Sequence, residues 1–348
     1  MILFVVDQIA GAEYIYPLLC RWRERGFVDW RVVCSAVSAR FFEKRSIDYL
    51  ELSNPETSDV ERLLDEYHPS NAVLSSSGAS LLEEYFLNEL RKRGVPSCQF
   101  IDNWVNYAVR YEKKNSEGEI HRVYPDRILT LDDKAKEEMI SANIPSDIIE
   151  IVGQPYFEHC MCSPENGVVK VFDSTLLVTQ PVSRHYGRNL GYDEKLFVSA
   201  CFETWKRLNN DWSKMNVLVH PSEDIESYAE LVSDYTDEVK LLRMSECNLR
   251  RYSLVIGMFS SMMIQSVLAG IDTVSFQPGA CGDDMSFLSR YGYINRIVTQ
   301  DGLYDYLSNY EGSDAADFDK YDELRSSLKG SCDRFENAIM SHFQHGGG

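Results

Sequence analysis

The stretch Ser253–Gly270, SLVIGMFSSMMIQSVLAG, has the pattern of a strand, a turn and the start of a helix. Its first part is a short apolar run with β-branched residues, and MMIQSVLA carries apolar residues at helical spacing. Phe259, Ser260 and Ser261 lie between the two parts. In a parallel sheet, this order places two hydroxyls and several free backbone N–H groups at the carboxyl end of a strand, where the helix dipole favours an anion. Either a phosphate binds here, or a serine only caps the helix.

The same strand, turn and helix pattern recurs on both sides of this stretch. Strands are predicted in the first half at Ile2–Val6, Trp30–Ala36, Asn71–Ser75 and Pro96–Ile101, and in the second half at Thr175–Val178, Met215–Val219 and Thr273–Phe276. Strands that alternate with helices of ten or more residues indicate a parallel sheet covered on both faces. The predicted fold class is therefore α/β.

A change of pattern divides the chain in two. The periodicity breaks at Gly153-Gln154-Pro155 and stays irregular through Asn166-Gly167, which predicts an interdomain link. A length of 348 residues also suggests two domains. We expect a first domain over 1–155, a second over 166–315, and a long final helix within 316–343 that packs back across both.

Composition restricts the partners of the chain. The formal net charge of -19 argues against nucleic acid or an anionic membrane as the main partner, because both require a basic surface. Nine cysteines without regular spacing, and no export signal at the N-terminus, predict reduced thiols in a cytoplasmic protein. Contact with membrane assembly machinery would then be peripheral and would arise through a partner or a weak surface.

The sequence lacks convincing metal and cofactor motifs. Asp132-Asp133 has the pattern of the acidic start of a helix and Asp283-Asp284 that of a polar loop, rather than an Asp-x-Asp metal site. Cys160-Met161-Cys162 has no second pair at zinc-finger spacing. No phosphate-binding P-loop and no dinucleotide-binding glycine turn is present, which disfavours NTPases and oxidoreductases. We expect neither a metal nor a cofactor.

Two motifs of the second half carry a family resemblance. Val217-Leu218-Val219-His220-Pro221 resembles the His-Pro motif of bacterial sialyltransferases, polysialyltransferases and capsule Kdo transferases, and Ser260-Ser261 resembles their paired-serine motif. Both follow predicted strands in the order of that family. The resemblance implies the GT-B fold, two facing Rossmann-like domains with a cleft between them, over roughly Ile2 to Phe343.

The resemblance also implies a donor site on the second domain. His220, Ser260 and Ser261 would hold the phosphate of a CMP-linked donor, and a protonated His220 would stabilise the leaving CMP. Pro221 would fix the turn from strand to helix. Glu223 would either bond a ribose hydroxyl or only interact with the helix dipole. The alternative for His220 is an ordinary loop histidine.

A basic loop follows the first strand of the second half. Thr179–Arg188 concentrates Gln180, Arg184 and further basic side chains in an otherwise acidic protein. An Arg fork fits a phosphate or a sugar carboxylate, although a mobile surface loop would have the same composition. Gln277, at the end of a later strand, is expected to shape the same wall.

A glycosyltransferase also needs a base for the acceptor hydroxyl, and the first domain is expected to supply it. Asp102 is the first candidate, because it ends an apolar strand, but an N-cap is an equally good interpretation. Asp7 is the second candidate for the same reason, and Glu13 is weaker. The expected acceptor-binding residues are Ser77, Trp104, Tyr107 and Arg110.

The leading hypothesis is a cytoplasmic, metal-independent glycosyltransferase of bacterial surface-polysaccharide (capsule or O-antigen) biosynthesis. It would use a CMP-activated acidic sugar, Kdo or sialic acid, and a glycan or lipid-linked glycan acceptor. The same fold would also suit a UDP-, CDP- or phosphoribosyl-type donor, in a polyol-phosphate transferase or a sugar-nucleotide epimerase. A third class is a non-catalytic protein that binds a glycan or nucleotide.

Overall fold

The structure is a computed structural model, and it describes residues 1–77, 80–114, 118–162, 174–311 and 321–345. The chain divides into two compact units. Unit 1 comprises Met1–His159 with Ser326–Gly348, and unit 2 comprises Cys160–Arg325. Each unit is built on its own parallel sheet.

Unit 1 contains a seven-stranded sheet with the strand order β3-β2-β1-β4-β5-β8-β9, in which every pair of neighbours is parallel. All five residues of β1 are buried, because a parallel sheet with helices on both faces has no open face. A short antiparallel hairpin, β6 and β7, stands apart from this sheet. The strands of unit 1 are β1 Ile2–Val6, β2 Trp30–Cys34, β3 Leu50–Glu51, β4 Asn71–Leu74, β5 Ser97–Phe100, β6 Glu112–Lys114, β7 Ile120–Arg122, β8 Arg127–Thr130 and β9 Ile149–Ile151.

Two helices of unit 1, α4 and α5, begin where a side chain caps the first N–H groups. Ser80 accepts from the N–H of Glu83 at 3.1 Å, and Asp132 accepts from that of Ala135 at 2.7 Å. The last helix, α14, packs on the unit: Glu336 accepts from the indole N–H of Trp22 at 2.8 Å. The helices are α1 Ile9–Glu24, α2 Ala36–Glu43, α3 Thr57–Tyr67, α4 Leu81–Arg93, α5 Asp133–Ser141, α6 Pro155–Cys162, which runs across the unit boundary, and α14 Ser331–His345.

Unit 2 contains a six-stranded parallel sheet with the order β12-β11-β10-β13-β14-β15. Its strands are β10 Thr175–Val178, β11 Met215–Leu218, β12 Lys240–Leu242, β13 Leu254–Gly257, β14 Asp272–Phe276 and β15 Asn295–Ile297. Its helices are α7 Val182–Tyr186, α8 Glu194–Arg207, α9 Glu226–Ser233, α10 Ser261–Leu268, α11 Phe287–Arg290, α12 Gln300–Ser308 and α13 Asp322–Leu328, which also crosses the unit boundary. Apolar side chains of α8, α9 and the strands form its core.

The final helical segment differs from the sequence prediction. The chain over 316–343 is not one long helix: α13 ends at Leu328 and α14 begins at Ser331, and Gly330 lies between them with φ +74°. Residues 312–320 lie outside the described residues. The predicted link begins at Gly153, and the boundary between the units follows His159. The start of this link belongs to unit 1, since the backbone N–H of Gln154 donates to Ser331 Oγ at 3.0 Å.

The glycine of that segment is required by packing. Gly153 has φ +90°, and a Cβ there would lie 2.1 Å from Ser331 Oγ. A side chain at this position would therefore push α14 away from the sheet. Over the described ranges of the chain, no helix has both the length and the apolar character needed to cross a bilayer.

Candidate active site

Three neighbouring strands of unit 2 end at the same level. Because β10 pairs with β11 on one side and with β13 on the other, Val178 is in register with Leu218 and with Gly257. The residues that follow these positions therefore converge at one edge of the sheet. They are Thr179 and Gln180 after β10, His220 after β11, and Phe259 with Ser260 after β13.

Thr179 fixes the segment after β11. Its Oγ1 accepts from the backbone N–H of His220 at 3.0 Å and donates to Glu223 Oε2 at 2.6 Å. The second oxygen, Glu223 Oε1, accepts from Tyr228 at 2.5 Å. The burial of Tyr228 and its bond to Glu223 raise the pKa of this phenol. Both carboxylate oxygens of Glu223 are therefore hydrogen-bonded inside the protein, which gives this side chain an anchoring role.

Arg243 holds the same segment from β12. Its guanidinium donates to the carbonyl oxygens of His220, at 3.3 Å, and Glu223, at 3.1 Å. Sequence reasoning missed both Arg243 and Thr179 as positioning residues. A threonine directly after a buried strand and an arginine after the neighbouring strand were the available signals.

The imidazole of His220 is oriented by its own turn. Its Nδ1 lies 3.2 Å from the backbone N–H of Ser222, which donates to it, and 2.9 Å from Ser222 Oγ. Since Nδ1 must offer its lone pair to that N–H, the proton of the neutral ring is on Nε2. Burial, and secondarily the positive charge of His185, lower the pKa of His220. The ring therefore presents a neutral N–H donor at neutral pH.

A turn separates His220 from the helix that follows it. Pro221 lies exposed in a turn, and α9 starts only at Glu226. His220 is therefore not at the first turn of that helix, and its position depends on Thr179 and Arg243 instead. The strand-end position predicted for His220 is what the structure shows.

The two serines of the paired motif have different environments. Ser260 is the N-cap of α10 and accepts from the N–H of Met262 at 3.3 Å. Ser261 is the first residue of α10 and is exposed. The capping interpretation therefore holds for Ser260, whereas the hydroxyl of Ser261 faces solvent. Gln180 connects the neighbouring strand end, because its Oε1 accepts from the N–H of Phe259 at 3.3 Å.

The basic loop after β10 contains the short helix α7. Arg184 on this helix is exposed, and the ring of Tyr186 packs edge-on against Phe259 with centroids 5.8 Å apart. The positive charge of His185, on the same helix, contributes to the lowered pKa of His220. The structure thus brings Gln180, Arg184 and His220 to one edge of unit 2.

Gln277 is a structural residue rather than a ligand contact. Its side chain is fully buried, its Nε2 donates to Asp284 at 2.8 Å and to Ser275 at 2.9 Å, and its Oε1 accepts from Arg296 at 3.0 Å. The expected place in a ligand-facing wall is wrong for this side chain, because it has no exposed atom to offer. It supports the loop after β14 from below.

In unit 1, Asp102 is held in an ion pair. Its Oδ1 accepts from Arg110 at 2.7 Å, and the same guanidinium nitrogen donates to the carbonyl of Ser76 at 2.7 Å. Only 9% of the Arg110 side chain is exposed. Asp102 does not cap a helix at Trp104, since the next helical turn begins at Ala108. The carboxylate of Asp102 is therefore committed to an ion pair inside unit 1.

The two aromatic residues expected on the acceptor side are buried. Trp104 has no exposed surface, and its indole N–H donates to Asp132 at 2.5 Å. Tyr107 is 8% exposed and donates to Glu138 at 2.9 Å. Neither ring offers an open face to a sugar, so this expectation is wrong for both. Arg110, also expected there, is committed to Asp102 and Ser76.

Other carboxyls of unit 1 have the properties of proton-transfer groups. Asp7 directly follows β1 and is half-buried, and Ser77 Oγ lies 3.4 Å from its Oδ2. Burial raises the pKa of Glu13 to about 7, against the opposing effects of Arg45 and of a hydrogen bond from Tyr156. Burial also raises the pKa of Glu83, which sequence reasoning missed, to about 7. Carboxyls that titrate near neutral pH suit general acid and base catalysis.

Comparison with known proteins gives the fold. No protein-family model matches the chain, and no curated protein sequence matches it. Among solved structures, a UDP-GlcNAc 2-epimerase from Neisseria meningitidis bound to UDP-GlcNAc is similar with a TM-score of 0.71 and 11% identity, over 98% of this chain and 99% of that one. MurG from Acinetobacter baumannii is similar with a TM-score of 0.58 and 11% identity, over 98% and 99%.

A third similar structure is the spinosyn rhamnosyltransferase SpnG complexed with thymidine diphosphate, with a TM-score of 0.61 and 12% identity, over 97% of this chain and 100% of that one. At these identities the likeness concerns the fold alone. The chain has the GT-B fold, with two Rossmann-like units, and the predicted fold class is confirmed.

Proposed function

We propose that the chain is a glycosyltransferase that binds a nucleotide-sugar donor at the strand ends of unit 2. The observation that carries the proposal is the orientation of His220. A neutral imidazole is fixed through Nδ1 and the backbone, so that its Nε2–H is available at an edge where an exposed hydroxyl, Ser261, begins a helix. Such an arrangement suits an anionic phosphate, which accepts from N–H and O–H donors and is favoured by a helix N-terminus.

The donor that fits this site best is a CMP-activated acidic sugar, Kdo or sialic acid. The phosphate of such a donor is a single diester, which needs fewer cationic partners than a diphosphate. His220 would donate to its oxygen and stabilise the leaving CMP as that group gains charge. Arg184, exposed on α7, would pair with the sugar carboxylate through its planar fork. We expect turnover to persist in the presence of a chelator, because His220 and Arg184 would supply the hydrogen bonds and positive charge that a metal ion would otherwise supply.

Unit 1 would handle the proton of the acceptor. Asp7 is half-buried at the end of β1, and Glu13 titrates near neutral pH, whereas Asp102 is neutralised by Arg110. We therefore favour Asp7 or Glu13 as the base. The acceptor would be a hydroxyl of a glycan or lipid-linked glycan in bacterial surface-polysaccharide assembly, a role that rests on the His-Pro and paired-serine motifs.

A second candidate is a sugar-nucleotide epimerase. It is favoured by the two carboxyls of unit 1, Glu13 and Glu83, whose pKa values lie near 7. Epimerisation at carbon needs one group that removes a proton and another that returns it. Incorporation of solvent deuterium into a recovered UDP-sugar would support this candidate, and a CMP-sugar consumed without deuterium in the sugar would support the transferase.

The test begins with binding. Wild type and His220→Ala are titrated by calorimetry and thermal shift with CMP, CDP, UDP and thymidine diphosphate, and then with CMP-Kdo and CMP-sialic acid. A ligand specific for the folded state raises its stability by about 2.7 kcal/mol at a hundredfold excess over Kd. We expect CMP to stabilise wild type selectively. This stabilisation should be weaker in His220→Ala and unchanged in the control His121→Ala on β7. Preference for a diphosphate would replace the CMP donor, and no stabilisation by any ligand would overturn the proposal.

A further inference from the structure

A buried carboxyl of unit 1, Glu83, lies behind the ends of β1 and β4. Only 3% of the residue is exposed. Its Oε2 accepts from the backbone N–H of Ser77 at 2.7 Å and lies 3.1 Å from Ser77 Oγ, while its Oε1 is hydrogen-bonded to Ser75 Oγ. The hydroxyl of Ser77 also lies 3.4 Å from Oδ2 of Asp7. One hydroxyl therefore stands between two carboxyls.

The number of protons in this cluster is restricted. A serine hydroxyl has one proton and can donate it to one acceptor. When Ser77 bridges both carboxyls, one of them must bring a proton of its own. Ser75 Oγ also has two acceptors beside it, Glu83 Oε1 and the carbonyl of Val5 at 3.4 Å, while it accepts from the backbone N–H of Asp7 at 3.3 Å. The geometry suits one carboxylic acid and one carboxylate that share a proton through a hydroxyl.

The charges around Glu83 have opposing effects. Burial raises its pKa to about 7, the bonds from Ser75 and Ser77 oppose this, and the charge of Asp7 adds to it. The groups that face it are Asp7 from the end of β1, Arg110 and Tyr111 from the segment after β5, Lys113 from β6, and Glu84 on its own helix, paired with Lys113 at 3.2 Å.

A polar recess beside Glu83, which Ser77 also lines, gives a second observation. Gln99 lines this recess together with Glu83, Arg110 and Lys113, and it is 4% exposed. Its Nε2 donates to the carbonyl of Ser75 at 3.1 Å, which fixes the amide. Its buried Oε1 accepts no hydrogen bond from the described residues. Such an oxygen requires a donor, and a water molecule in the recess would supply one.

We propose that Glu83 is a proton store that acts through Asp7. This proposal rests on the proposed transferase function. Asp7 takes the proton of the acceptor hydroxyl while the acceptor oxygen forms a bond to the sugar carbon. The bond from that carbon to the phosphate oxygen breaks at the same time, and CMP is released. The proton passes through Ser77 to Glu83 and leaves by way of water in the recess. Glu83 is thus a positioning residue, and Asp7 is the group that touches substrate.

The first test needs no substrate. Infrared spectra of the protonated-carboxyl stretch are recorded across pH for wild type, Glu83→Gln, Ser77→Ala and Glu89→Gln, the last being a buried glutamate on the same helix. The difference between wild type and Glu83→Gln isolates Glu83 from Glu13. We expect a band that titrates with a midpoint near pH 7 and is missing only in Glu83→Gln. In Ser77→Ala the midpoint should rise, because a bond that favours the ionised form is lost.

Identical titrations in wild type and Glu83→Gln would overturn the proposal, and so would an unchanged midpoint in Ser77→Ala.

The second test is the pH profile of turnover. Turnover of wild type should rise through neutral pH, because Glu83 then becomes able to accept a proton. Glu83→Gln should lack this rise. Ser77→Thr should keep the rise, because it retains a hydroxyl, whereas Ser77→Ala should lose it. Superposed profiles of wild type and Glu83→Gln would overturn the relay. If no donor supports turnover, the proposed function fails, and the infrared titration still decides on the proton store.

Discussion

The two units have the same type of sheet and opposite chemistry at its carboxyl edge. In unit 2, the ends of β11 and β13 carry hydrogen-bond donors: the imidazole of His220, which a backbone N–H orients, and the hydroxyl of the exposed Ser261. In unit 1, the ends of β1 and β5 carry the carboxylates Asp7 and Asp102, and Glu83 lies behind the end of β4. The sheet determines where a site is located, and the side chains determine whether it handles an anion or a proton.

The largest expected effect tests the donor edge of unit 2. His220→Ala removes the Nε2–H donor, and we expect turnover with a CMP-sugar to fall about 100- to 1,000-fold, the usual effect of losing one hydrogen-bond donor to a developing anion. The melting temperature should remain close to that of wild type, because the backbone N–H of residue 220 still bonds Thr179. Initial rates with circular dichroism melts check both results, and His121→Ala is the control. Turnover near that of wild type would assign the donor chemistry to another group.

The next effect concerns stability in unit 1. Asp102→Asn removes the charge that compensates the mostly buried guanidinium of Arg110, and we expect a loss of about 3 kcal/mol in the free energy of unfolding. Urea unfolding measures it. The double variant Asp102→Asn with Arg110→Met should regain part of this loss, because no uncompensated charge remains. If Asp102→Asn is as stable as wild type but inactive, Asp102 rather than Asp7 is the catalytic carboxylate of unit 1.

The pH dependence of the free energy of unfolding tests whether Glu83 holds a proton in the folded state. The pKa of Glu83 is raised from 4.5 to about 7, so the folded state binds the proton more tightly than the unfolded state. The resulting stability is fully present below pH 4.5 and is lost as pH rises through 7. A difference of this size corresponds to about 3 kcal/mol. Urea unfolding at several pH values should show that wild type loses this much more stability than Glu83→Gln over the interval. Parallel curves would mean that Glu83 is an ordinary carboxylate.

Sequence reasoning found the positions that depend on local pattern. The apolar runs predicted the strands, and the polar residue after a strand predicted that His220 and Asp7 lie at a sheet edge. These predictions succeed because a buried parallel strand must end in a loop, and consecutive loops of a parallel sheet share one edge. The fold class follows from the same pattern.

The direction and the partner of each side chain could not be predicted in this way. Trp104 and Gln277 follow strands, yet both are fully buried and bonded to Asp132 and Arg296, respectively, which only the folded chain brings close. Glu83 has the sequence context of a first-turn helix glutamate after a serine cap, and only tertiary packing makes it a buried acid. Burial and pairing depend on contacts that are distant in sequence, and one sequence does not contain them.

The smallest effect separates two adjacent serines in unit 2. Ser260→Ala removes a helix cap and should cost about 1 kcal/mol of stability with little change in donor affinity. Ser261→Ala removes an exposed hydroxyl, so stability should be unchanged while the Kd for CMP rises. Thermal melts and calorimetry with CMP measure the two quantities on both variants. Because the residues are neighbours at one helix start, opposite phenotypes would show that position within the donor edge, rather than residue type, decides function. Equal phenotypes would mean that both serines only cap the helix. The carboxyls Asp7 and Glu83 of unit 1 would then be the main evidence for catalysis.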